Sequence, residues 1–360
     1  MGTYLRHLAE HMARLEPDRV RFVTARAGRE ELPAEIRSRA VEGRRGHRPA
    51  QIYWLYNEWF LRRAIHHERP ALFHATDFNG LVAAAGTPTI ATLYDCTWIR
   101  EAATARNLSQ RLSDVRWRVY YHHKLARANH IIAISARARQ DATELLRLPS
   151  EKITAIPLGV DTNRYRPIRG HGRFAGVFPY FLFVGGRATN KNLDRLLHAL
   201  RLMRRSCPDA RLLIAGPWSP TDRAWLRNVC ADRSLLEHVQ LLGFMPGADL
   251  PSLYANALGF VFPCLEEGFG LPVLEAMACG TPVITSNRSV LPEVAGNAAL
   301  LIDPTDTEQL AVAMRYVAAC PQLRSDLTRR GLERVREVSW ETVARRTLDV
   351  YERVIYTGSR

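Results

Sequence analysis

Residues 259–285 alternate between an apolar run and a helical run, and this order constrains the fold more than any other feature of the chain. The apolar residues 259–263 predict a buried strand. Gly268 and Gly270 follow in a turn, where glycine lets the backbone pass close to a ligand. A proline two residues later suits the first turn of a helix, and a Gly-Thr-Pro sequence predicts its end. This order predicts a βαβ unit with a parallel sheet.

The same alternation extends along the whole chain and predicts an α/β protein with two doubly wound parallel sheets. The clearest helix of the first half is predicted over 109–128. Strands in the first half are predicted at 20–24, 72–74, 89–93, 131–135 and 153–156. Strands in the second half are predicted at 181–185, 211–215, 239–242, 257–263, 282–285 and 299–302.

Glycine and proline divide the chain into segments. Residues 164–179 break all periodicity and predict a linker between an N-terminal domain over 1–163 and a C-terminal domain over 180–338. The chain opens with the helical stripe of Tyr4, Leu8 and Met12 before any strand. The first domain is therefore expected to lack its first strand, or residue 1 is internal to a longer natural chain. We favour the second, because a missing strand would expose the edge of its neighbour.

Composition limits the classes of function. With 360 residues and 47% hydrophobic content the chain can bury two full cores. The six cysteines show no paired short spacing, and no Asp-x-Asp or histidine cluster offers a metal site, so neither a disulfide framework nor a metal nor a cofactor is expected. His74, His122 and His123 are expected at the surface or behind the groups that contact ligand. No apolar stretch reaches transmembrane length, which predicts a cytoplasmic protein.

Positive charge is concentrated in the first half. Residues 1–170 contain 28 Lys and Arg against 17 Asp and Glu (+11), whereas the rest contains 22 against 19 (+3). Within 111–127 the basic residues alternate with aromatic ones. This pattern suits anionic lipid headgroups at the inner face of the plasma membrane, a phosphate-bearing acceptor or nucleic acid, and a solvated helix face remains an equal alternative. The members are Arg111, Arg116, Trp117, Arg118, Tyr120, Tyr121, Lys124 and Arg127.

Two strand-to-helix loops carry the candidate chemistry. Glu267 and Glu275 surround the glycine turn, and an ionised Glu275 in the first turn of the helix can accept two hydrogen bonds from a ribose diol. Arg187 and Lys191 follow the strand that ends at Gly185-Gly186. An arginine can direct two donors to a diphosphate, and a lysine is a compact charge for the departing oxygen. Isolated residues of these types would more often serve as solvated charges at a helix start.

Ligands of such sheets bind beyond the carboxyl ends of the strands, where Arg187, Phe244 and Glu267 are predicted to meet. The amide groups at the start of the helix after Gly270 attract anions without a metal. The sequence therefore predicts a site for a phosphate ester at one edge of the second sheet.

These residues resemble the retaining, nucleotide-sugar-dependent glycosyltransferases of group 1, family 4. The run from Glu267 to Glu275 is similar to the two-glutamate signature of that family, and Ile156 to Asp161 is similar to its Pro-x-Gly-Val-Asp segment. The resemblance implies the GT-B architecture, in which two Rossmann-like domains face a central cleft. It also implies that the terminal helix within 339–360 returns to the first domain.

The resemblance implies a role for each matching residue. Glu267 faces the donor sugar, Glu275 binds the ribose, and Arg187 and Lys191 hold the diphosphate. Asp95 takes the place of the aspartate in a His-Asp pair, although this chain has Tyr94 before it. The implied donor site comprises Gly185, Gly186, Arg187, Lys191, Phe244, Glu267, Gly268, Phe269, Gly270, Leu271 and Glu275, and the implied catalytic residues are Glu267, Arg187, Lys191 and Asp95.

The resulting hypothesis is a metal-independent, retaining hexosyltransferase that uses a nucleoside-diphosphate sugar, with GDP-mannose as a first guess, and a glycan or lipid-linked acceptor. The alternatives are a nucleotide-sugar epimerase of the same fold, an inactive nucleotide-binding relative and a basic nucleic-acid-binding protein, although no nucleic acid is expected as a partner. A dinucleotide oxidoreductase is least favoured, because no Gly-x-Gly-x-x-Gly sequence follows a strand.

Overall fold

The chain forms two compact units in the computed structural model. One comprises Met1–Gly159 and Trp340–Arg360, and the other comprises Val160–Ser339. The structure describes residues 2–25, 40–43, 50–76, 81–82, 86–97, 99, 108–168, 170–176 and 179–358.

The described part of the first unit contains two parallel sheets. Its strands are β1 (Phe22–Ala25), β2 (Ala40–Gly43), β3 (Phe73–Ala75), β4 (Thr89–Leu93), β5 (His130–Ala133) and β6 (Ile153–Ala155). β1 pairs with β2, and the second sheet has the order β3-β4-β5-β6. The helices span Gly2–Leu15, Ala50–Glu68, Leu108–Ala126, Ala136–Glu144 and Trp340–Gly358, with a short 3-10 turn at Ser150–Lys152.

The core of this unit lies around β4, whose residues are all buried. Burial on both faces explains why this strand is a continuous run of apolar and β-branched residues. At the start of the chain, Tyr4, Leu8 and Met12 are 2–3% exposed, as expected for one face of a helix. The helix of Tyr4 packs against the terminal helix, where the ring of Trp340 stacks on His7 at 5.1 Å.

The second unit is one six-stranded parallel sheet with helices between its strands. The strands are β7 (Tyr180–Val184), β8 (Arg211–Ala215), β9 (Val239–Gly243), β10 (Gly259–Phe262), β11 (Val283–Ser286) and β12 (Ala299–Ile302). The helices span Leu193–Met203, Pro220–Asp232, Leu250–Ala255, Leu271–Ala278, Leu291–Ala295, Thr307–Ala319 and Pro321–Arg336, with a 3-10 turn at Thr189–Lys191.

The strand order in this sheet is β12-β11-β10-β7-β8-β9. The chain therefore moves outward from β7 in one direction, returns, and moves outward from β10 in the other direction. This reversal lies between β7 and β10, and such a switch point is where open parallel sheets bind their ligands. The two strands beneath it are among the most buried of the unit, and their aromatic residues Phe181, Phe183, Phe260 and Phe262 are fully buried.

The predicted fold class is confirmed, because both units are α/β with parallel sheets. The predicted strands at 89–93, 211–215 and 299–302 coincide with the observed ones, and the others differ at their ends. The strand predicted over 257–263 is shorter, Gly259–Phe262. The described residues of the predicted linker contain no helix or strand and lie in the second unit.

Candidate functional site

The loops that follow β7 and β10 are joined by asparagine side chains. The Nδ2 atom of Asn190 donates to the Glu266 carbonyl at 3.1 Å. The Nδ2 atom of Asn192 donates to the carbonyls of Pro263 and Pro304 at 3.0 and 2.7 Å. Because these bonds cross the switch point, they fix the two predicted loops against each other.

Lys191 and Glu267 form an ion pair at this junction. The Nζ atom of Lys191 lies 2.5 Å from Oε2 of Glu267 and 4.8 Å from the centre of the Phe262 ring, and the two charged side chains are 20% and 17% exposed. The Ser289 hydroxyl accepts a hydrogen bond from the Glu267 amide at 3.2 Å and donates one to its carbonyl at 3.0 Å. The structure thus brings together two residues that the sequence placed on separate loops, and leaves both partly accessible.

The glycine turn before the helix Leu271–Ala278 requires glycine at position 270. Gly270 has a φ of +97°, and a Cβ atom there would lie 2.7 Å from Cδ2 of Leu291. Within the described part of the chain, no hydrogen-bond acceptor is paired with the amides of Gly268, Phe269, Gly270 or Leu271. Free amides at the positive end of a helix suit an anion.

The turn after β7 is packed closely against the next strand. A Cβ atom at Gly216 would lie 2.6 Å from the carbonyl oxygen of Gly185, and the Trp218 indole donates to that oxygen at 3.1 Å. Beyond Gly186, the Nη1 atom of Arg187 donates to Asp222 at 3.2 Å. An open cleft at this point is lined by Arg187, Ala188, Thr189 and Asp222.

Phe244 follows β9 directly and is 77% exposed. β8 separates β9 from β7, so Phe244 lies at the same sheet edge as Arg187 but two strands away. An exposed phenylalanine at this edge offers a flat apolar surface to a ligand ring.

The expected position of Glu275 in the first helical turn is wrong. The helix begins at Leu271, immediately after the left-handed Gly270, so Glu275 is its fifth residue and lies in the second turn. The Tyr254 hydroxyl donates to Oε2 of Glu275 at 3.1 Å. Burial raises the pKa of the Glu275 carboxyl, while hydrogen bonds from Tyr165 and Tyr254 and the charge of Arg164 act in the opposite direction.

Asp95 belongs to the first unit, at the carboxyl end of β4. Its Oδ1 atom accepts hydrogen bonds from the amide and the hydroxyl of Thr97 at 3.0 and 2.6 Å. The neighbouring Tyr94 hydroxyl donates to the Thr76 carbonyl at 2.9 Å. The Tyr94 hydroxyl therefore binds the backbone of the first unit.

Of the three histidines expected at the surface or behind the contact groups, His122 and His123 are exposed. His74 is half-buried, and its Nδ1 atom lies 2.6 Å from the Tyr351 hydroxyl while its Nε2 atom lies 2.8 Å from Oγ1 of Thr92. Burial lowers the pKa of His74 to about 3, so the ring is neutral at physiological pH. Among the described residues, no group of three or more His, Cys, Asp and Glu side chains is arranged to hold a metal ion.

The basic and aromatic helix Leu108–Ala126 displays large apolar side chains. Val115, Trp117 and Val119 are 59%, 46% and 62% exposed. Arg116, Arg118 and Arg127 are exposed as well, whereas the side chain of Arg111 lies outside the described residues. The helix thus presents apolar and positively charged groups side by side.

The sequence did not point to the residues that hold Arg187, Lys191 and Glu267 and their loops in place. They are Asn190, Asn192, Asp222, Trp225 and Ser289. The asparagines on both sides of Lys191 were one available signal, because asparagine tolerates the left-handed conformation that Asn192 adopts at a φ of +57°. Asp222, Trp225 and Ser289 give no local signal, because each lies far along the chain from the residue that it contacts.

Two family models together match most of the chain. Residues 168–334 match "Glycosyl transferases group 1", and residues 1–164 match "Glycosyltransferase Family 4". This chain belongs to the group 1 glycosyltransferases.

Among the curated relatives of this group 1 glycosyltransferase is the O-antigen chain mannosyltransferase B of Escherichia coli, 32% identical over 243 residues that cover 64% of the chain and 62% of that relative. The MMP alpha-(1->4)-mannosyltransferase of Mycolicibacterium hassiacum is 29% identical over 285 residues, covering 76% of the chain and 67% of the relative. The chain thus spans about two thirds or less of these proteins.

Solved structures agree with the fold. The sucrose-phosphate synthase of Thermosynechococcus elongatus has a TM-score of 0.74 at 20% identity, covering 99% of this chain and 93% of that one. WaaG, a glycosyltransferase involved in lipopolysaccharide biosynthesis, has a TM-score of 0.74 at 16% identity, covering 97% and 95%. This group 1 glycosyltransferase therefore has the GT-B type of fold predicted from its sequence. No helix in its described part is both long and apolar enough to cross a bilayer.

Proposed function

We propose that this group 1 glycosyltransferase moves a hexose from a nucleoside-diphosphate sugar to a glycan or a lipid-linked acceptor, with retention at the anomeric carbon and without a metal ion. The observation that carries the proposal is the Lys191–Glu267 pair at the switch point, beside free amides at the start of a helix. The alternatives of an epimerase, an inactive relative or a nucleic-acid binder have no comparable structural support.

The positive groups suit a departing diphosphate. Negative charge develops on the leaving oxygen as the bond to the sugar breaks, and fixed donors stabilise it in a site of low polarity. Lys191 is a compact charge at the junction, and Arg187 can offer several N–H groups. The amides of residues 268–271 add the positive end of a helix dipole. These groups together supply positive charge for the diphosphate without a metal ion.

In the transfer step the acceptor oxygen forms a bond to the anomeric carbon on the face from which the diphosphate departs. The proton of the acceptor hydroxyl passes to the departing phosphate oxygen, so no enzyme nucleophile is needed. Glu267, held by Lys191 and Ser289, is proposed to orient the donor sugar. Asp95 is proposed to orient the acceptor side.

The names of the relatives indicate mannose as the first sugar to test. The relatives include a GDP-mannose-dependent mannosyltransferase of Mycolicibacterium smegmatis, 32% identical over 191 residues. A structural neighbour from Anabaena, HepE, was solved with UDP and glucose. Guanine and uracil donors are therefore both candidates, and Phe244 and Glu275 are proposed to contact the nucleobase and the ribose.

A nucleotide panel tests the donor site. GDP, UDP and ADP are added to the wild type, Lys191→Gln and Arg329→Gln, and thermal unfolding is recorded. A nucleotide at about a hundredfold its Kd should stabilise the fold by roughly 2.7 kcal/mol, a shift of a few degrees. We expect one nucleoside diphosphate to stabilise the wild type and Arg329→Gln, whose arginine pairs with Asp326 on a surface helix, but not Lys191→Gln. No shift with any nucleotide would refute the donor site.

The chemistry is tested with the matching nucleotide sugar and a mannan or lipid acceptor. Nuclear magnetic resonance of the product assigns its anomeric configuration, and chelator-treated enzyme tests for metal. The proposal predicts the configuration of the donor and undiminished turnover with chelator. An inverted product or loss of turnover on chelation would each refute the corresponding part.

We also propose that the helix Leu108–Ala126 contacts an anionic membrane surface. Exposed Trp117 and Val119 can enter the headgroup region while the neighbouring arginines attract anionic lipid. No acidic residue occurs in 115–127. The structural neighbour WaaG is involved in lipopolysaccharide biosynthesis, which makes a lipid-linked acceptor a reasonable substrate to test.

Sedimentation with vesicles tests this contact. Phosphatidylglycerol vesicles should bind the wild type, pure phosphatidylcholine vesicles should not, and Arg116→Glu with Arg118→Glu should abolish the binding. The control is Arg329→Glu with Arg330→Glu in the helix Pro321–Arg336, where these two side chains are 60% and 40% exposed. Unchanged binding of the first double variant, or equal loss in both, would refute the contact.

A further inference from the structure

Arg187 is held by two side chains of the helix Pro220–Asp232. Its Nη1 atom donates to Oδ1 of Asp222 at 3.2 Å. Its guanidinium carbon lies 4.5 Å from the centre of the Trp225 ring, within the range of a cation–π contact. Asp222 and Trp225 are three residues apart, so they lie on one face of the helix.

The helix is itself fixed at the point where it meets Arg187. Ser219 caps it by accepting from the Asp222 amide at 3.1 Å, and the Ser219 hydroxyl donates to Oδ2 of Asp222 at 2.6 Å. Trp218, just before the cap, donates to the Gly185 carbonyl. The Asp222 carboxylate therefore uses one oxygen for the cap and the other for Arg187, and the helix start is tied to the same loop.

Stability alone does not account for this arrangement. The Arg187 and Asp222 side chains are 39% and 30% exposed, and an ion pair of that exposure contributes little to the free energy of unfolding. A free arginine side chain has many rotamers, and a ligand that binds it must otherwise overcome that entropy. Only one of the five guanidinium N–H groups is used by Asp222, so the others remain for an anion in the adjoining cleft.

We propose that Asp222 and Trp225 are positioning residues that hold Arg187 ready for the diphosphate of the donor. This inference rests on the proposed function, because it assigns the arrangement to donor binding. Asp222 fixes the direction of the guanidinium, and the Trp225 ring supports its face. Neither residue needs to touch the ligand, so both act through Arg187.

Titration calorimetry with inorganic pyrophosphate and with the nucleoside diphosphate found in the panel tests the inference. Trp225→Ala and Asp222→Asn should each weaken binding of both probes by about three- to tenfold, the effect of one side chain that is no longer fixed in advance. Binding of the matching nucleoside, which has no phosphate, should not change. Trp225→Phe keeps an aromatic face and should restore most of the affinity.

A double-mutant cycle separates positioning from a general structural effect. In the Arg187→Ala background, Trp225→Ala and Asp222→Asn should cause no further loss, because the residue that they position is gone. Asp326→Asn, which removes a carboxylate from an exposed pair elsewhere in the unit, is the matched control and should bind as the wild type does.

The outcomes are distinguishable. A wild type that binds no nucleoside diphosphate refutes the proposed function and this inference with it. A wild type that binds while both variants bind equally well refutes the inference alone. Additive losses in the Arg187→Ala background, or tighter binding by Asp222→Asn, also refute positioning.

Discussion

Glu275 is the residue whose chemistry the surrounding fold alters most within the candidate site. Its side chain is half-buried and accepts a hydrogen bond from the Tyr254 hydroxyl, while the rings of Tyr165 and Tyr254 lie edge to face with their centres 6.1 Å apart. Burial makes ionisation costly, and it raises the pKa of Glu275 in spite of the two phenols. A ribose diol that displaced or joined a phenol would add hydrogen bonds to a charge that is poorly solvated, and such bonds are strong.

Glu275→Gln should make folding less dependent on pH. The folded pKa of Glu275 lies above its unfolded value, so the folded state binds the proton more tightly. The stability due to this group is therefore fully present below the unfolded pKa and is lost as pH rises through the folded pKa. We expect the wild type to lose stability relative to Glu275→Gln between acidic and neutral pH, measured by urea unfolding of both at a series of pH values.

Asp326→Asn is the control of opposite sign. Hydrogen bonds from Arg329 and Arg330 lower the pKa of Asp326, so the stability it contributes is present above the unfolded pKa and is lost as pH falls. Parallel pH profiles for the wild type and Glu275→Gln would contradict a raised pKa for the Glu275 carboxyl.

The charged residues of the site could be predicted from the sequence, but the residues that they contact could not. Lys191 stands out because only three of the 50 basic residues of the chain are lysines, and Glu267 stands out because it belongs to a run similar to the two-glutamate signature of the family. Their contact with each other spans 76 positions, and the contact between Arg187 and Asp222 spans 35. Pairings at such separations depend on strand order, which a single sequence does not specify.

At the scale of elements, the site depends on how the loops after β7 and β10 are joined. Asn192 begins the helix Leu193–Met203 in a left-handed conformation, is 6% exposed and donates to two carbonyls of other loops. Its Oδ1 atom accepts from Arg195 at 2.9 Å. One side chain thus joins three parts of the sheet edge.

Asn192→Ala should destabilise the second unit by about 2–4 kcal/mol, since it leaves buried carbonyls without a donor and replaces asparagine, which tolerates the left-handed region, with alanine, which does not. Asn192→Gly removes the same hydrogen bonds without the backbone strain, so it should lie between alanine and the wild type. Urea unfolding measures both. A glycine variant as stable as the wild type would show that the asparagine hydrogen bonds contribute nothing.

Strands were predicted more accurately than the turn that begins the helix Leu271–Ala278. A buried parallel strand is a short continuous apolar run, so β4 and β8 could be delimited from the sequence. The helix start depends on whether Gly268 or Gly270 takes the left-handed conformation, and both are permitted by sequence. In the structure Gly270 takes it, and the helix that starts there places Glu275 in the second turn.

At the scale of the whole molecule, the first and last helices of the chain belong to one unit. Trp340 is 3% exposed and packs on His7, and its ring centre lies 6.1 Å from that of Tyr4. The helical stripe at the start could be seen in the sequence, and the return of the last helix was implied by the family resemblance. Their contact joins residues more than 300 positions apart, and a local sequence pattern cannot predict such a contact.

Trp340→Ala should therefore destabilise the first unit and leave the second intact. Truncation of a buried tryptophan costs about 3–5 kcal/mol, and here the loss falls where the terminal helix meets Tyr4 and His7. Hydrogen exchange read by mass spectrometry should show faster exchange in β4 and the first helix, with β7 and β8 unchanged and the affinity for the nucleoside diphosphate retained. Trp218→Ala, a buried tryptophan of the other unit, is the mirror control and should increase exchange in β7 and β8 instead. If either variant accelerated hydrogen exchange equally in both units, the chain would unfold as a single cooperative body. Trp340→Ala would then also lower the affinity for the nucleoside diphosphate.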